Sequence, residues 1–251
     1  MIGNIGIGVI GGSGLEKALE GEKYLLETPY GEVNLKICSI EKRKIAFIPR
    51  HGERHELPPH KINYKGNIWA FKKIGVERII ATNAVGGIRE GLNPGDLLIP
   101  HDFIDFTKSR SSTFYDKEAI HIDVTNPYCP ELRGILIETA NEISVKTWGS
   151  GVYVCTEGPR FETPSEIKMF RLLGADVVGM TGIPEVVLAR ELKICYATIC
   201  IVTNYAAGMQ KRITQEEVNE IMKMKVKTVL ELIRRAILKI SVEYKKCECW
   251  M

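Results

Sequence analysis

The chain has 251 residues, 45% of them hydrophobic and 26% charged, which is enough apolar material for one buried core of ordinary domain size. Its 34 basic and 31 acidic residues nearly balance, so bulk electrostatics do not favour nucleic-acid binding. No apolar run reaches the roughly 18 residues that a membrane span needs, and the apolar start at 1–10 lacks the basic region and cleavage site of a signal peptide. We therefore expect a soluble, cytoplasmic protein that binds neither nucleic acid nor membrane.

Short apolar runs bounded by glycine or proline alternate with helical patterns along the chain. The runs predict strands at 5–10, 45–49, 78–82, 96–99, 152–156, 175–180 and 195–203. The helical patterns predict helices at 63–74, 131–143, 164–173 and 184–192, with a C-terminal helix from about residue 214. This alternation predicts an α/β fold with a mixed, mostly parallel central sheet flanked by helices. Because no repeat or linker interrupts it, we expect a single domain over 1–251.

Two of the predicted helices begin with a recognisable cap. Thr163 precedes Pro164 and stands three residues before Glu166, which is a capping box with proline at the first helical position. Thr214 and Glu217 have the same spacing before the C-terminal helix. Phe161 therefore lies in the turn just before a helix, where scaffolds often present chemistry.

The N-terminal glycines contain a misleading motif. Residues 6–11 spell G-x-G-x-x-G, but these glycines lie within the predicted strand instead of between a strand and a helix, so we do not expect a nicotinamide cofactor. The next glycines, at 11, 12 and 14, allow the backbone to approach an anion, and Ser13 adds a hydroxyl and an amide.

Several short motifs lie at the ends of predicted strands and together form a set that follows a definite order along the chain. They are Gly-Gly-Ser-Gly at 11–14, Arg-His-Gly at 50–52, Asn-Ala-Val-Gly-Gly at 83–87, the 155–166 turn, the 179–191 turn and helix, and Asn-Tyr-Ala-Ala-Gly at 204–208. From about residue 7 to about residue 208, the set resembles the trimeric purine nucleoside phosphorylase and methylthioadenosine phosphorylase family. The resemblance implies phosphorolysis of a purine nucleoside, with phosphate as co-substrate and no metal or organic cofactor. It also implies a homo-oligomer, either a trimer or a dimer of trimers.

The resemblance assigns an anion site to residues from four motifs. The positions that match the family's phosphate contacts are Ser13, Arg50, His51, Ala84 and Thr181. Asn83 neighbours this site, and we expect it to bind phosphate as well. Arg50 has a planar fork of donors suited to an oxyanion, and the backbone amides near Ser13 and Ala84 add neutral donors. His55 matches a second histidine near phosphate and sugar.

The remaining matches concern the nucleoside. Met180 matches the methionine beneath the ribose, where a polarisable thioether tolerates a developing cation. Phe161 is expected to stack on the purine, Glu162 and Asn204 to bind its edge, and Ala206 to contact the substrate. We expect Asn204, Glu162 and His51 to act in catalysis.

Two of these residues bear on the choice of base. In the family, branches that use 6-aminopurines resemble one another in having serine where this chain has Glu162 and aspartate where it has Asn204. A carboxylate accepts from N1–H of a 6-oxopurine but is repelled by the N1 lone pair of adenine. We therefore expect inosine, guanosine or 5′-methylthioinosine as substrate. The alternative is 5′-methylthioadenosine, because stretches 50–70 and 180–191 look closer to that branch.

The 5′ pocket is less defined by the sequence. The family lines it with residues that follow the asparagine strand and with a neighbouring subunit. Here that stretch is 209–218, which contains no histidine of the kind that binds a 5′-hydroxyl. Phe106 and His121 are candidates for reaching across a subunit interface.

Three other functions remain open on the sequence. The group His51, Glu53, His55 and His60 offers metal ligands for a hydrolase, although the spacing is not H-E-x-x-H. A metal-free hydrolase of the same bond would use water and need no anion loop. A non-catalytic nucleoside-binding protein would bind without turnover.

The seven cysteines fall into two groups. Cys38, Cys129, Cys155, Cys195 and Cys200 are scattered in apolar segments, and we expect them to be reduced core thiols. Cys247 and Cys249 form a C-x-C pair near the C-terminus. This pair can form a strained disulfide, bind a metal together with residues from elsewhere, or stay inert.

Overall fold

The computed structural model of the protein describes residues 3, 5–16, 18–241 and 247–249. In these residues the strands are β1 Ile7–Gly11, β2 Gly21–Thr28, β3 Gly31–Ile40, β4 Arg43–Pro49, β5 Arg78–Gly87, β6 Leu97–Leu98, β7 Asp102–Phe106, β8 Thr147–Trp148, β9 Val152–Thr156, β10 Val177–Gly179 and β11 Cys195–Tyr205. The helices are α1 Tyr64–Lys73, α2 Pro130–Glu142, α3 Pro164–Leu172, α4 Glu185–Glu191 and α5 Gln215–Lys239, and Pro59–Lys61 is a single 3-10 turn.

The strands of the described chain join in one 11-stranded sheet, whose main path runs β2-β3-β4-β1-β5-β10-β9-β7. Strand β11 also pairs with β5 and with β6, and β6 pairs with β8. Pairing is antiparallel at β2–β3, β3–β4, β5–β10 and β6–β11, and parallel at the other pairs. The predicted α/β fold with a mixed, mostly parallel sheet is therefore confirmed.

Strand β5 is the branch point of this sheet. Its first half pairs with β1, up to Ala81 beside Ile10, whereas its end pairs with β10 through Gly86 and Gly87. Strand β11 follows β5 along almost its whole length. Strand β1 pairs with β5 only before Thr82, and β10 pairs with it only from Gly86 onward, so the sheet opens between these two stretches. Such openings at strand ends are common ligand sites in α/β proteins.

Two pairs of helices cover the sheet. Helices α1 and α4 share a core cluster through Ile68, Phe71 and Leu188, and α2 and α5 share another through Leu136 and Ile233. Both arrangements bury one apolar face of each helix, as the sequence pattern requires. No helix in the described ranges is long and apolar enough to cross a membrane.

The two predicted capping boxes have different outcomes. At α3 both halves form, since Thr163 accepts from the Glu166 amide and the Glu166 carboxylate accepts from the Thr163 amide. At α5, Thr214 accepts from the Glu217 amide at 3.2 Å, but the Glu217 carboxylate accepts from Gln210 Nε2 at 2.7 Å. The second box is thus only half formed, because a neighbouring amide takes the carboxylate.

Candidate active site

A cavity of about 360 Å³ lies at the opening of the sheet, within the size range of small-molecule sites. The residues that follow β1, β4 and β10, together with the ends of β5 and β11, form its walls. All predicted site residues except Asn83 line it, namely Ser13, Arg50, His51, Ala84, Phe161, Glu162, Met180, Thr181, Asn204 and Ala206. We refer to Ser13, Arg50, His51 and Thr181 as the anion group and to Phe161, Glu162 and Asn204 as the base group.

The glycine loop after β1 packs tightly against the protein as well as facing the cavity. The Gly12 amide donates to Thr82 Oγ1 at 2.9 Å, and the Gly14 amide donates to Glu16 Oε1 at 3.1 Å. A Cβ on Gly12 would lie 2.5 Å from the Thr82 carbonyl oxygen and 2.9 Å from Arg50 Nη1, so only glycine fits. The half-buried Ser13 is the residue of this loop that remains to offer a hydroxyl and an amide to a ligand.

Arg50 forms a buried ion pair with Glu185. Nε and Nη2 of Arg50 donate to the two carboxylate oxygens of Glu185 at 3.0 and 2.7 Å, and Nη1 donates to the Thr82 carbonyl at 2.6 Å. The Tyr196 hydroxyl donates to the same carboxylate at 2.7 Å, and both charged side chains are fully buried. These bonds engage three of the five guanidinium N–H groups, which leaves two for a ligand. The charge of Arg50 is therefore balanced inside the protein.

His51 is held as a neutral imidazole. Burial lowers its pKa from the ordinary 6.5 to about 4, and the nearby positive charge of Arg50 acts in the same direction. Its Nδ1 lies 2.8 Å from the Leu57 carbonyl oxygen, a partner that fixes the ring proton on Nδ1. The ring stacks on His55 with centroids 4.4 Å apart, and His55 Nδ1 in turn lies 2.6 Å from Glu16 Oε1.

Thr181 reaches the cavity from the turn after β10 and is positioned by a buried network. Its hydroxyl donates to Asn83 Oδ1 at 2.8 Å, and Asn83 Nδ2 donates to Thr198 Oγ1 at 2.7 Å. The backbone of Thr181 also bonds to the Tyr153 hydroxyl. Asn83 therefore orients Thr181 from behind, whereas the sequence predicted a direct contact with phosphate.

The base group combines a buried carboxyl with a partly exposed ring. Glu162 accepts from Thr156 Oγ1 at 2.6 Å, and burial raises the pKa of its carboxyl. Phe161 beside it is 37% exposed. The loop that carries both is secured by Arg110, which donates to the carbonyls of Glu157 and Ile183 at 2.7 and 2.8 Å.

Asn204 is buried at the end of β11, yet its amide keeps unused capacity. Its Oδ1 accepts from Thr203 Oγ1 at 2.8 Å, and its Nδ2 donates to the Tyr205 carbonyl at 2.9 Å. An amide oxygen accepts twice and an amide nitrogen donates twice. Asn204 can therefore accept one further hydrogen bond and donate another.

Met180 follows strand β10, directly precedes Thr181, and lines the same cavity as the anion group and the base group. A Cβ on Gly158 would lie 2.7 Å from Met180 Sδ, and Gly158 has φ +64. Glycine at this position satisfies both the left-handed backbone and the close approach of the thioether. The contact of Gly158 with Met180 arises only in the folded chain, because the two residues lie in different turns.

Some residues next to the predicted site residues have no clear signal in the sequence. Glu185 and Thr82, which fix Arg50, carried no signal except that Glu185 is acidic in the first turn of α4. Gln215 and Val218, from the first turns of α5, line the cavity, and both belong to the 209–218 stretch expected near the 5′ position. Leu57, Pro58 and Pro59 form a further apolar part of the wall.

The other sequence candidates lie elsewhere. Phe106 packs on Phe170 with ring centroids 4.9 Å apart, and His121 lies on the surface in a different cavity. Glu53 pairs with Lys23 and Lys36. Within the described ranges, the histidine group proposed for a metal hydrolase does not assemble into a set of converging ligands.

Comparisons with known proteins identify the family of the chain. The family model described as "Phosphorylase superfamily" matches residues 6–238. The chain is 54% identical to the "Probable 6-oxopurine nucleoside phosphorylase" of Dictyoglomus turgidum, over 97% of this chain and 94% of that protein. It is 50% identical to the "Probable S-methyl-5′-thioinosine phosphorylase" of Methanopyrus kandleri, over 97% of this chain and 95% of that protein.

Solved structures give the same result. A methylthioadenosine phosphorylase from an antarctic soil metagenomic library superposes with a TM-score of 0.91 at 35% identity, and the match covers 98% of this chain and 90% of that one. The family model, the relatives and the solved structure thus lead to one conclusion. The chain belongs to the phosphorylase superfamily.

Proposed function

We propose that the protein catalyses phosphate-dependent cleavage of the N-glycosidic bond of 6-oxopurine nucleosides, giving the free base and ribose 1-phosphate. The observation that carries this proposal is that Glu162 and Asn204 line the same cavity as Ser13, Arg50 and Thr181. One cavity thus contains both an acceptor and a donor for a purine edge, together with donors for an anion.

The base group fits a 6-oxopurine better than adenine. An ionised Glu162 accepts from N1–H of hypoxanthine or guanine, whereas N1 of adenine has a lone pair and would leave the buried carboxylate with Thr156 but without a partner on the base. The free N–H of Asn204 suits O6, and its free acceptor position suits a protonated N7. The bond to O6 strengthens as negative charge develops on the leaving base, and the bond from N7–H forms as N7 is protonated, so both favour departure of the base.

The anion group supplies the other half of the reaction. An oxygen of hydrogen phosphate bonds to C1′ of the ribose as the bond from C1′ to N9 breaks, and overall the proton of that phosphate passes to the departing base. Ser13 and the two remaining N–H groups of Arg50 are donors for the phosphate oxygens. The Thr181 hydroxyl, which donates to Asn83 Oδ1 in the structure, becomes a further donor when its proton rotates to a bound phosphate oxygen. Met180 lies against the sugar, where its thioether tolerates the positive character of the ribosyl centre.

A second candidate substrate is 5′-methylthioinosine. The cavity wall next to the proposed base and phosphate positions is apolar at Val218, Leu57, Pro58 and Pro59. An apolar wall accommodates a methylthio group more readily than a hydroxyl. The names of the relatives divide in the same way, since one is called a 6-oxopurine nucleoside phosphorylase and another an S-methyl-5′-thioinosine phosphorylase.

The test is phosphate-dependent release of base from inosine, guanosine, 5′-methylthioinosine, adenosine and 5′-methylthioadenosine under one set of conditions. We expect turnover of the 6-oxopurine nucleosides, and the ratio of 5′-methylthioinosine to inosine identifies the 5′ preference. Preferred turnover of 5′-methylthioadenosine would contradict the role given to Glu162. Turnover without phosphate would indicate a hydrolase, and tight binding without turnover would indicate a binding protein.

The Asn204→Asp variant tests the reading of the base directly. An aspartate accepts from the 6-amino group and N7–H but repels O6, so the preference for 6-aminopurine over 6-oxopurine nucleosides is expected to rise by about 100-fold or more. The matched control is Asn141→Asp, which changes an exposed asparagine of α2. Equal preferences in both variants would show that Asn204 does not contact the base.

We also propose that the protein forms a trimer or a dimer of trimers, as the resemblance implies. Helix α3 and the residue after it expose Leu172 at 89%, Leu173 at 53% and Met169 at 40%, close in sequence to Phe161. Light scattering after gel filtration tests this, and Leu172→Glu is expected to dissociate the oligomer. Leu25→Glu, at a residue of β2 that is 57% exposed, is the control. A monomer at micromolar concentration would overturn this proposal.

A further inference from the structure

Four of the seven cysteines meet at one place, away from the active-site cavity. Cys129 precedes the first residue of α2, Cys195 is the first residue of β11, and Cys247 and Cys249 come from the C-terminal C-x-C pair. The Cys129 amide donates to the Tyr196 carbonyl at 2.8 Å, which ties the start of α2 to β11 beside the cluster. The sequence predicts Cys129 and Cys195 as separate core thiols, because nothing in their spacing shows that they adjoin the C-terminus.

The geometry of the cluster is that of a ligand set. All four Sγ atoms lie within 4.8 Å of one another, and Cys195 Sγ and Cys247 Sγ are 3.3 Å apart. Four thiolates at a Zn–S distance of about 2.3 Å in a tetrahedron have their sulfur atoms about 3.8 Å apart. The distance between Cys195 Sγ and Cys247 Sγ lies below this value, and the 4.8 Å limit for the set lies above it. We propose that Cys129, Cys195, Cys247 and Cys249 form a structural tetrathiolate site for Zn²⁺.

The surroundings suit such a site. The exposed fractions of the four side chains are 0%, 0%, 5% and 5%, so a bound ion would be shielded from water, as in closed structural sites. Binding converts four thiols and Zn²⁺ into a complex of charge −2 and releases four protons. Arg190 and Lys193 line the cavity that also contacts Cys247 and Cys249, and their charges offset the negative complex.

The same cavity gives the ion a route to the cluster. It has a volume of about 530 Å³, opens to the surface, and includes His121, Asp123 and Glu248 besides the two terminal cysteines. These side chains are hard or borderline ligands that can capture a hydrated cation before the thiolates bind it. The proposal departs from the expectation that the chain holds no metal, but the site is separate from the residues proposed for phosphorolysis.

The alternative is that the cluster is oxidised. A disulfide needs sulfur atoms about 2.05 Å apart and joins them in pairs, so two disulfides would divide the cluster into two short and four longer distances. The four sulfur atoms of the cluster lie within 4.8 Å of one another, so each thiol adjoins the other three and not a single partner. This arrangement favours one shared ion over two separate bonds.

The experiment uses the full chain, purified with a reductant and dialysed against Zn²⁺ and then against metal-free buffer. Elemental analysis is expected to find about one zinc per chain in the wild type. Cys249→Ser and Cys195→Ser are expected to lose it, whereas Cys38→Ser, which changes a buried thiol outside the cluster, is expected to retain it. Substitution by Co²⁺ provides an independent signal, because tetrahedral cobalt–thiolate centres absorb strongly in the visible range.

Three results would overturn the proposal. They are reduced wild-type protein that holds no zinc, loss of zinc in the Cys38→Ser control, and a separate preparation without reductant whose intact mass shows disulfides in place of metal. Iron in the cluster, seen as a coloured protein, would support the tetrathiolate site and overturn the assignment of zinc. We expect removal of zinc by a chelator to lower Tm by roughly 5 °C or more, since it releases the C-terminus from α2 and β11.

Discussion

The anion group and the base group of the cavity are held in different ways. Arg50 is fixed by a buried ion pair, and Thr181 by a chain of buried hydrogen bonds through Asn83 to Thr198. Glu162, in contrast, has one side-chain partner, Thr156, and stands next to the partly exposed Phe161. Arg50 and Thr181 are therefore held in place before any ligand arrives, whereas Glu162 depends on its hydrogen bond from Thr156.

This difference matches a difference between the two ligands, phosphate and the nucleoside. Phosphate is the same in every turnover of a phosphorylase, so a fixed set of donors does not limit the range of substrates. Fixed donors also reduce the conformational entropy lost on binding. Bases and 5′ substituents vary among the relatives. Changes at a few base-group residues can therefore alter the substrate while the anion group remains intact.

The largest expected effect comes from breaking the buried ion pair. Glu185→Gln leaves the Arg50 charge buried and unbalanced, and we expect the free energy of unfolding to fall by about 3–5 kcal/mol. Chemical denaturation measures this loss. The matched control is Glu231→Gln, which removes an exposed pair with Arg235 and is expected to change stability by less than 1 kcal/mol. Equal effects would show that the anion group is not specially rigid.

The next effect is a loss of stability in acid through His51. Its pKa is about 4 in the folded protein and about 6.5 in the unfolded chain, so the unfolded state binds a proton first as the pH falls. The stabilisation is complete above pH 6.5 and is lost between there and pH 4, by about 3 kcal/mol in total. His51→Gln is expected to flatten this part of the stability profile. Because His55, Glu16 and Arg50 also act on the ring, the difference between the two profiles is the quantity to measure.

A smaller effect is expected at Thr181. Thr181→Val removes a hydroxyl that faces the cavity, and loss of one hydrogen bond to a charged ligand should raise KM for phosphate about 10- to 100-fold. KM for the nucleoside should change little. Thr147→Val, at a half-buried threonine outside the cavity, is the control. An equal rise in KM for phosphate and in KM for the nucleoside would show that Thr181 stabilises the fold and does not bind the anion.

The smallest effect is expected at Phe161. Phe161→Leu keeps an apolar side chain but loses ring stacking, worth about 0.5–1.5 kcal/mol, so KM for the nucleoside should rise about 3- to 10-fold. KM for phosphate should stay the same. Phe114→Leu, which changes a ring packed on Tyr30, is the control. An unchanged nucleoside KM would remove Phe161 from the base group.

Local sequence signals predicted the elements that have strong caps or apolar runs. Helix α3 was predicted at 164–173 and found at Pro164–Leu172, and strand β9 was predicted with its observed bounds. The hairpin of β2 and β3 was missed, because β2 is largely exposed and Leu26 is its one buried side chain. The signal that could have revealed it is the turn at Pro29 followed by the alternation of Val33 and Leu35.

Tertiary contacts account for the remaining differences. Strand β5 was predicted to end at residue 82 because Asn83, Gly86 and Gly87 read as turn residues, yet the strand continues to Gly87, where it pairs with β10. Helix α4 was predicted to begin at Pro184, which instead precedes its first residue, Glu185. The contact of Glu185 with Arg50 joins residues 135 positions apart, and no local pattern encodes it.

The hydrogen on Nδ1 of His51 has a consequence for the selection of anions. With that proton donated to the Leu57 carbonyl, the other ring nitrogen carries a lone pair and can only accept. Hydrogen phosphate has a hydroxyl to donate to it, whereas sulfate at neutral pH has none and would meet the lone pair with its own. Under the proposed function, this histidine lets the enzyme distinguish two tetrahedral dianions of nearly equal size by whether they carry a proton.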